Sequence, residues 1–158
     1  MIFLIVGSQK FPFDRLITEV DRLKKEGVIK DNVVAQIGVS GYVPETLNWV
    51  RFMDKERFDE CIENSDLVIT HAGEGSIMTG LLKKKKVIAV PRYARLGEHV
   101  SDHQLEIARA LGGQNYIINV EDIGELGNVI SNIDNTELRE YSSGKDAIIK
   151  TIRDYINE

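Results

Sequence analysis

The sequence predicts an α/β fold, a single doubly wound domain with helices on both faces of a mainly parallel sheet. Three observations carry this. Short β-rich apolar runs alternate with longer amphipathic stretches, the pattern of successive βα units. The run 67–70 reads Leu-Val-Ile-Thr with no polar alternation, as a strand buried on both faces requires. The 158 residues contain no repeat, no low-complexity tract and no linker apart from a polar stretch over 132–143, so 1–158 reads as one domain.

Taken in order, 2–6 is the first strand, and 13–25 is a helix stopped by Gly27. Residues 33–37 form the second strand, followed by a loop of turn formers from Gly38 to Pro44 and a short strand over 49–53. Asp54 caps a helix reaching about Asn64, and 67–70 leads through His71-Ala-Gly-Glu-Gly-Ser76 into a helix over about 76–85. Residues 87–90 are a strand ended by Pro91, the loop 92–100 precedes a helix over 102–111, and 116–120 is the last strand. Helices over 121–130 and 145–156 close the chain in a Rossmann-like arrangement.

Composition narrows the function. Twenty Lys and Arg against 25 Asp and Glu leave a net charge of −5, so no overall field recruits nucleic acid. Cys61 is the only cysteine, which precludes an intramolecular disulfide and suits a reducing cytoplasmic setting. The apolar start stops at Gly7 without a basic flank or cleavage site, which does not fit a signal peptide. No apolar run approaches the roughly 20 residues of a membrane span, so membrane association is expected through a partner.

Ligands of open α/β sheets bind beyond the carboxyl ends of the strands. The loops at Gly7-Ser8, Gly38 to Gly41, His71 to Ser76 and Pro91 to Gln104 should therefore share one crevice. Gly73 and Gly75 allow backbone N–H groups to approach an anion at a helix start, a cradle suited to diphosphate; a tight turn with Ser76 as N-cap accounts for the same residues. His71 reads equally as a packed ring or as an N–H donor to phosphate. Ser101 and Gln104 fit a capping box, while Glu98, His99 and Asp102 are acceptors suited to sugar or ribose hydroxyls. A metal pair at His99 and His103 lacks an evident third ligand, and no metal or other cofactor is expected. Lys83 to Lys86 read as a solvated helix end or, second, as a contact for anionic lipid or a partner. Arg92 and Arg95 suit phosphate or a partner, and Trp49 suits packing.

Val6-Gly7-Ser8, Gln36-Ile37-Gly38, the segment Ser65 to Ser76, Val90-Pro91-Arg92 and Glu98-His99-x-x-Asp102-His103-Gln104, in this order, resemble the donor-binding half of GT-B glycosyltransferases, family 28 C-terminal type. The chain is similar to small separately encoded subunits of bacterial exopolysaccharide and capsule synthesis and to eukaryotic Alg13-like subunits, with motifs covering residues 1 to about 120. The resemblance implies that His71, Gly73, Glu74, Gly75 and Ser76 hold the donor diphosphate above Gly7 and Ser8. It implies that Asp102 and Gln104, with Glu98 and His99 nearby, contact sugar or ribose, and that uracil lies against Phe52 and Met53. Many relatives carry a ribose-binding Glu where this chain has Thr79, with Glu98 a candidate substitute. The implied activity is inverting, metal-independent transfer from a UDP-sugar to a lipid-linked acceptor at the inner face of a membrane. A membrane-anchored, Alg14-like acceptor-binding subunit would supply the catalytic base, so none is assigned here. Two other readings are a nucleotide-binding regulatory subunit without turnover and a nucleotide phosphoribohydrolase. The latter's PGGxGTxxE-like loop fails to match at His71 and Thr79.

Overall fold

The computed structural model describes residues 1–7 and 10–141; Ser8 and the helix expected over 145–156 lie outside the described residues. Among the described residues, one sheet contains β1 (Ile2–Ile5), β2 (Val33–Gln36), β3 (Asn48–Val50), β4 (Leu67–Thr70), β5 (Lys86–Ala89) and β6 (Ile118–Asn119). Its order is β3-β2-β1-β4-β5-β6 and every pairing is parallel. The helices are α1 (Asp14–Lys25), α2 (Lys55–Asn64), α3 (Glu74–Leu82), α4 (His103–Gly113) and α5 (Leu126–Ser131). The chain builds outward from β1 on one side, then crosses back to place β4 on the other. The switch point, where loops diverge and leave a crevice, therefore lies between β1 and β4.

The two-residue period of the strands assigns side chains to two cores. Ile2, Leu4, Val33, Ala35, Leu67, Ile69 and Ile88 pack with Leu16, Ile17 and Val20 of α1 and Leu126 and Ile130 of α5. Phe3, Ile5, Val68, Val87 and Ala89 pack with Ile62 of α2, Ile77 and Leu81 of α3, and Ile107 and Leu111 of α4. Burying each large aliphatic side chain contributes roughly 1.5–3 kcal/mol, so a one-residue slip of a central strand, which exchanges its two sets, is strongly disfavoured.

The connection from β2 to β3 has no helix, and its backbone needs partners from elsewhere. Two carboxylates seven residues apart, on one face of α1, provide them. Tyr42 N donates to Asp14 Oδ1 at 3.0 Å, while Glu45 N and Thr46 N donate to Asp21 at 3.0 and 2.9 Å. The hydroxyls of Tyr42 and Thr46 also donate to Asp21. Burial alone would raise the Asp21 pKa, but bonds from the Thr46 and Tyr42 hydroxyls and the Glu45 and Thr46 amides outweigh it and hold the value at about 2.

Several boundaries differ from the expected ones for local reasons. α3 begins at Glu74, with Gly73 in the N-cap position, so Ser76 sits inside the first turn and does not cap it. Asp102, not Ser101, is the N-cap residue of α4; Ser101 Oγ accepts from His103 N at 3.3 Å, and Gln104 is buried, so the capping box does not form. The strand expected over 116–120 pairs with β5 only at Ile118 and Asn119, and the one expected over 49–53 pairs with β2 only over 48–50. The helix expected over 121–130 is interrupted because Asp122 accepts from Gly124 N at 2.9 Å, which starts a 3-10 turn over Ile123–Glu125 before α5. Asp54 caps α2 as expected, accepting from Arg57 N at 2.8 Å.

Candidate functional site

A crevice of about 470 Å³ opens at the carboxyl ends of β2, β1 and β4. Ile5, Gly7 and Gln36 form its floor; Phe52, Met53, Lys55 and Phe58 line one wall, and Gly75, Ser76 and Thr79 of α3 line the other. The structure thus brings together Gly7, Gly75, Ser76, Thr79, Phe52 and Met53 out of the residues singled out in the sequence. Gln36, Lys55 and Phe58 were given no role there. The signal for Gln36 is a polar side chain inside the apolar run 33–37.

The start of α3 forms the anion-facing wall. Gly73 precedes the helix with extended backbone, and no side chain among the described residues caps it. The first-turn amides of Glu74, Gly75 and Ser76 therefore keep the unmet donors and the positive end of the helix dipole. Glu74 itself is exposed and is not on the crevice wall. Ala72, fully buried, adopts φ of 68° between His71 and Gly73, a conformation that costs a residue with a Cβ roughly 1–2 kcal/mol and that the surrounding packing must enforce.

His71 resolves into a packed ring. Nδ1 lies 3.2 Å from the Ile5 carbonyl, which only accepts, so Nδ1 carries the proton and Nε2 holds the lone pair. Burial, then the positive charge of Arg92, lowers its pKa to about 3, so the imidazole is neutral near pH 7. The N–H that sequence reading offered to phosphate thus points into the fold. The ring also explains two glycines: a Cβ on Gly7, already at φ of 84°, would come within 2.8 Å of Nε2, and a Cβ on Gly73 would overlap the same atom. At Gly75 a Cβ would meet nothing within 4 Å.

Behind His71, Arg92 is 1% exposed and lies across the loops that follow β1 and β5. Its guanidinium donates to the carbonyls of Val6 and Phe11 and sits 5.2 Å from the Phe13 ring. Burial lowers its pKa to about 10, with Glu98 acting in the opposite sense, so Arg92 is charged at neutral pH. Nε and Nη1 have no hydrogen-bond partner among the described residues. A buried positive charge therefore lies beneath the β1–β4 switch point.

The polar loop after β5 is buttressed from α1. Glu98 is 8% exposed, and its carboxylate receives Arg15 Nε at 3.0 Å, Arg15 Nη2 at 3.1 Å and Tyr93 N at 3.1 Å. It is engaged within the fold and lies off the crevice wall. Asp102 accepts from Ala94 N at 2.9 Å, and the His99 ring lies tilted against Phe11 with centroids 5.2 Å apart. Gln104 is 6% exposed, and its Oε1 has no hydrogen-bond partner among the described residues. Glu98, His99, Asp102 and Gln104 occupy the next stretch of the same sheet edge, beyond β4.

Elsewhere, the lysine run spans the turn from α3 into β5 and is tied to its surroundings. Lys83 pairs with Glu63 at 3.0 Å and Lys84 with Glu140 at 2.9 Å, while Lys85 and Lys86 donate to the carbonyls of Glu63 and Ile133. Among the described residues no group of three or more His, Cys, Asp or Glu could hold a metal ion, and no helix is long and apolar enough to cross a membrane.

Similar proteins fit this architecture. UDP-N-acetylglucosamine transferase subunit ALG13 of Homo sapiens is 34% identical over 127 residues, 73% of this chain and 10% of that protein. The Candida albicans subunit of the same name is 32% identical over 100 residues, 63% of this chain and 32% of that protein. The chain thus spans about a tenth to a third of the length of these relatives. Among solved structures, the NMR solution structure of ALG13 shares the fold with a TM-score of 0.68 and 18% identity, over 99% of this chain and 96% of that one. The glycosyltransferase SnogD from Streptomyces nogalater does so with a TM-score of 0.61 and 17% identity, over 98% of this chain and 39% of that one. Sequence and fold converge with the match of the glycosyltransferase family 28 C-terminal domain over residues 1–158, and the chain belongs to that family.

Proposed function

We propose that this chain is the donor-binding subunit of a UDP-sugar glycosyltransferase, with UDP-N-acetylglucosamine, the substrate in the names of its relatives, as the first donor to test. One observation carries the reading: the order of chemistries along the carboxyl edge of the sheet. An apolar wall at Phe52 and Met53 follows β3, Gln36 ends β2, Gly7 follows β1, the uncapped start of α3 follows β4, and a polar loop with Asp102 and Gln104 follows β5. Strands lie about 4.8 Å apart, so these features spread over roughly 19 Å. A nucleotide sugar has the same linear order of base, pentose, diphosphate and sugar.

The mechanism follows from what the residues offer. Displacement at the anomeric carbon leaves a diphosphate carrying new negative charge. The free N–H groups and dipole of α3, with the buried Arg92 charge behind them, stabilise it without requiring a divalent ion. His71 is a poor base for the acceptor hydroxyl, since its pKa of about 3 leaves little drive to take a proton near pH 7. The base and the acceptor site then belong to a membrane-anchored partner facing the crevice, with a lipid-linked acceptor as in exopolysaccharide or capsule assembly. An open crevice cannot orient that acceptor. Orientation is worth roughly 7–11 kcal/mol, so losing about 4 kcal/mol of it slows transfer about a thousandfold.

Calorimetry of UDP binding to the chain and to Gly75→Val tests the donor site. Space around Gly75 lets the fold survive while the valine obstructs the amides of α3. Binding by the parent and a loss of at least tenfold in the variant are expected. No binding by the parent, or equal binding by both, overturns the assignment. Transfer from the UDP-sugar measured with and without partner-containing membranes tests the two-subunit arrangement, which full turnover by the purified chain alone refutes.

A further inference from the structure

One polar side chain in the crevice has hydrogen-bonding capacity that the fold does not use. Gln36 ends β2 and is only 6% exposed, and it lines the crevice floor beside Ile5 and Gly7. Its backbone is committed, with the carbonyl accepting from Val6 N at 3.2 Å and the residue in register with Ile5 and Val50. Its side-chain amide makes no hydrogen bond to any described residue. Its two N–H donors and carbonyl acceptor open on the crevice, where a ligand group can take the place of water as their partner.

Its place in the sheet says which group. β2 stands between β3, which leads into Phe52 and Met53, and β1, which leads into Gly7 and faces α3 across β4. A nucleotide with its base at the apolar wall and its diphosphate at α3 passes its pentose over β2. Pentose hydroxyls both donate and accept, as the amide does. The nearby Thr79 hydroxyl already donates to the Gly75 carbonyl at 2.8 Å, which leaves Gln36 as the unengaged donor and acceptor on the floor. We infer that the Gln36 amide hydrogen-bonds the pentose hydroxyls of the nucleotide donor and is the residue that reads the pentose. This rests on the donor-binding function proposed above.

The test crosses ligand with residue. UDP, 2′-deoxy-UDP and 3′-deoxy-UDP are titrated by calorimetry into the parent and into Gln36→Met, a change that keeps length and removes both hydrogen-bonding functions. Gln36→Leu serves as a second variant, and thermal melting confirms that each is folded. The parent should bind UDP at least fivefold more tightly than one of the deoxy analogues. The Met variant should bind UDP at least fivefold more weakly than the parent and should no longer discriminate between the ligands. Equal binding of all three ligands by the parent overturns the inference, as does full discrimination retained by a folded Gln36 variant. In both cases UDP binding that is sensitive to Gly75→Val leaves the donor-site reading standing. Absence of UDP binding by the parent overturns both.

Discussion

The two ends of the sheet differ in a way that locates function better than size does. The amino end carries the larger hollow, about 710 Å³ between Ile2, Val28, Leu67, Lys86 and Ile133. Three of its charges are engaged within the chain: Asp66 accepts from the terminal ammonium of Met1 at 2.7 Å, Lys84 pairs with Glu140, and Lys86 donates to the Ile133 carbonyl at 2.7 Å, while Lys30, Asp31 and Asp134 are exposed to water. The carboxyl end has the smaller crevice, yet among the described residues it holds an amide with no side-chain partner, an uncapped helix start, a left-handed alanine and a buried guanidinium with two unpartnered nitrogens. Unmet hydrogen-bonding demand and enforced strain mark a place where a ligand completes the structure. A hollow whose charged groups are paired or already face water has much less to gain from one.

The largest effect expected at the carboxyl end comes from a single methyl group. Gly73→Ala drives a Cβ into the His71 ring, which Nδ1 fastens to Ile5 and which Gly7 abuts from the other side. Overpacking of this kind costs roughly 1–3 kcal/mol, and an ångström-scale shift of the loop lowers UDP affinity about a hundredfold. Gly75→Ala, two residues on in open space, should leave the melting temperature within about 2 °C of the parent, while Gly73→Ala lowers it by about 5 °C. Matching melting curves for the two variants would show that His71 does not fill the space between the loops.

A second, smaller effect sharpens the comparison through pH. Asp21 ties the helix-less β2–β3 connection, which leads from Gln36 to Phe52, down onto α1. Its folded pKa of about 2 lies below the 3.8 of an ordinary aspartate, so its contribution is present above about pH 4 and disappears as pH falls through about 2. Asp21→Asn should therefore lose about 2 kcal/mol of stability at pH 7, and urea unfolding of parent and variant should converge as pH falls from 4 towards 2. A stability gap that persists undiminished at pH 2 would mean that the carboxylate charge is not what holds the connection.

The same contrast explains what the sequence made legible. Strands β1, β4 and β5 and the start of α2 follow from patterns local in sequence: continuous apolar runs, and an aspartate three residues before the amide it caps. The glycines around His71-Ala-Gly-Glu-Gly-Ser76 were legible as a loop that brings backbone close to something, but not as serving different purposes. Gly75 faces the crevice, whereas Gly73 and Gly7 make room for a ring. That distinction depends on contacts between residues 7 and 71, which no local pattern encodes. Glu98 shows the same limit, since its partner Arg15 lies 83 residues away on α1. The capping-box pattern at Ser101 failed because Asp102, one residue later, competes for the same cap position and Gln104 is drawn into the interior.

The smallest expected effect is the one best able to break the comparison. Lys84 is 69% exposed and its partner Glu140 is 67% exposed, an arrangement worth roughly 0–1 kcal/mol, so Lys84→Ala should barely move stability. It nonetheless removes a cation from the rim of the larger hollow, where an anionic ligand would be felt at once. If the donor binds at the carboxyl crevice, the hollow is a bystander, and UDP affinity of Lys84→Ala at physiological ionic strength should stay within twofold of the parent. Over the length of the sheet a surface charge is screened beyond about 8 Å, so no long-range field confuses the result. A tenfold loss of UDP affinity in this variant, with Gly75→Val unaffected, would place the ligand at the amino end. It would then follow that paired charges can open to receive an anion, and that unmet demand alone does not locate the site.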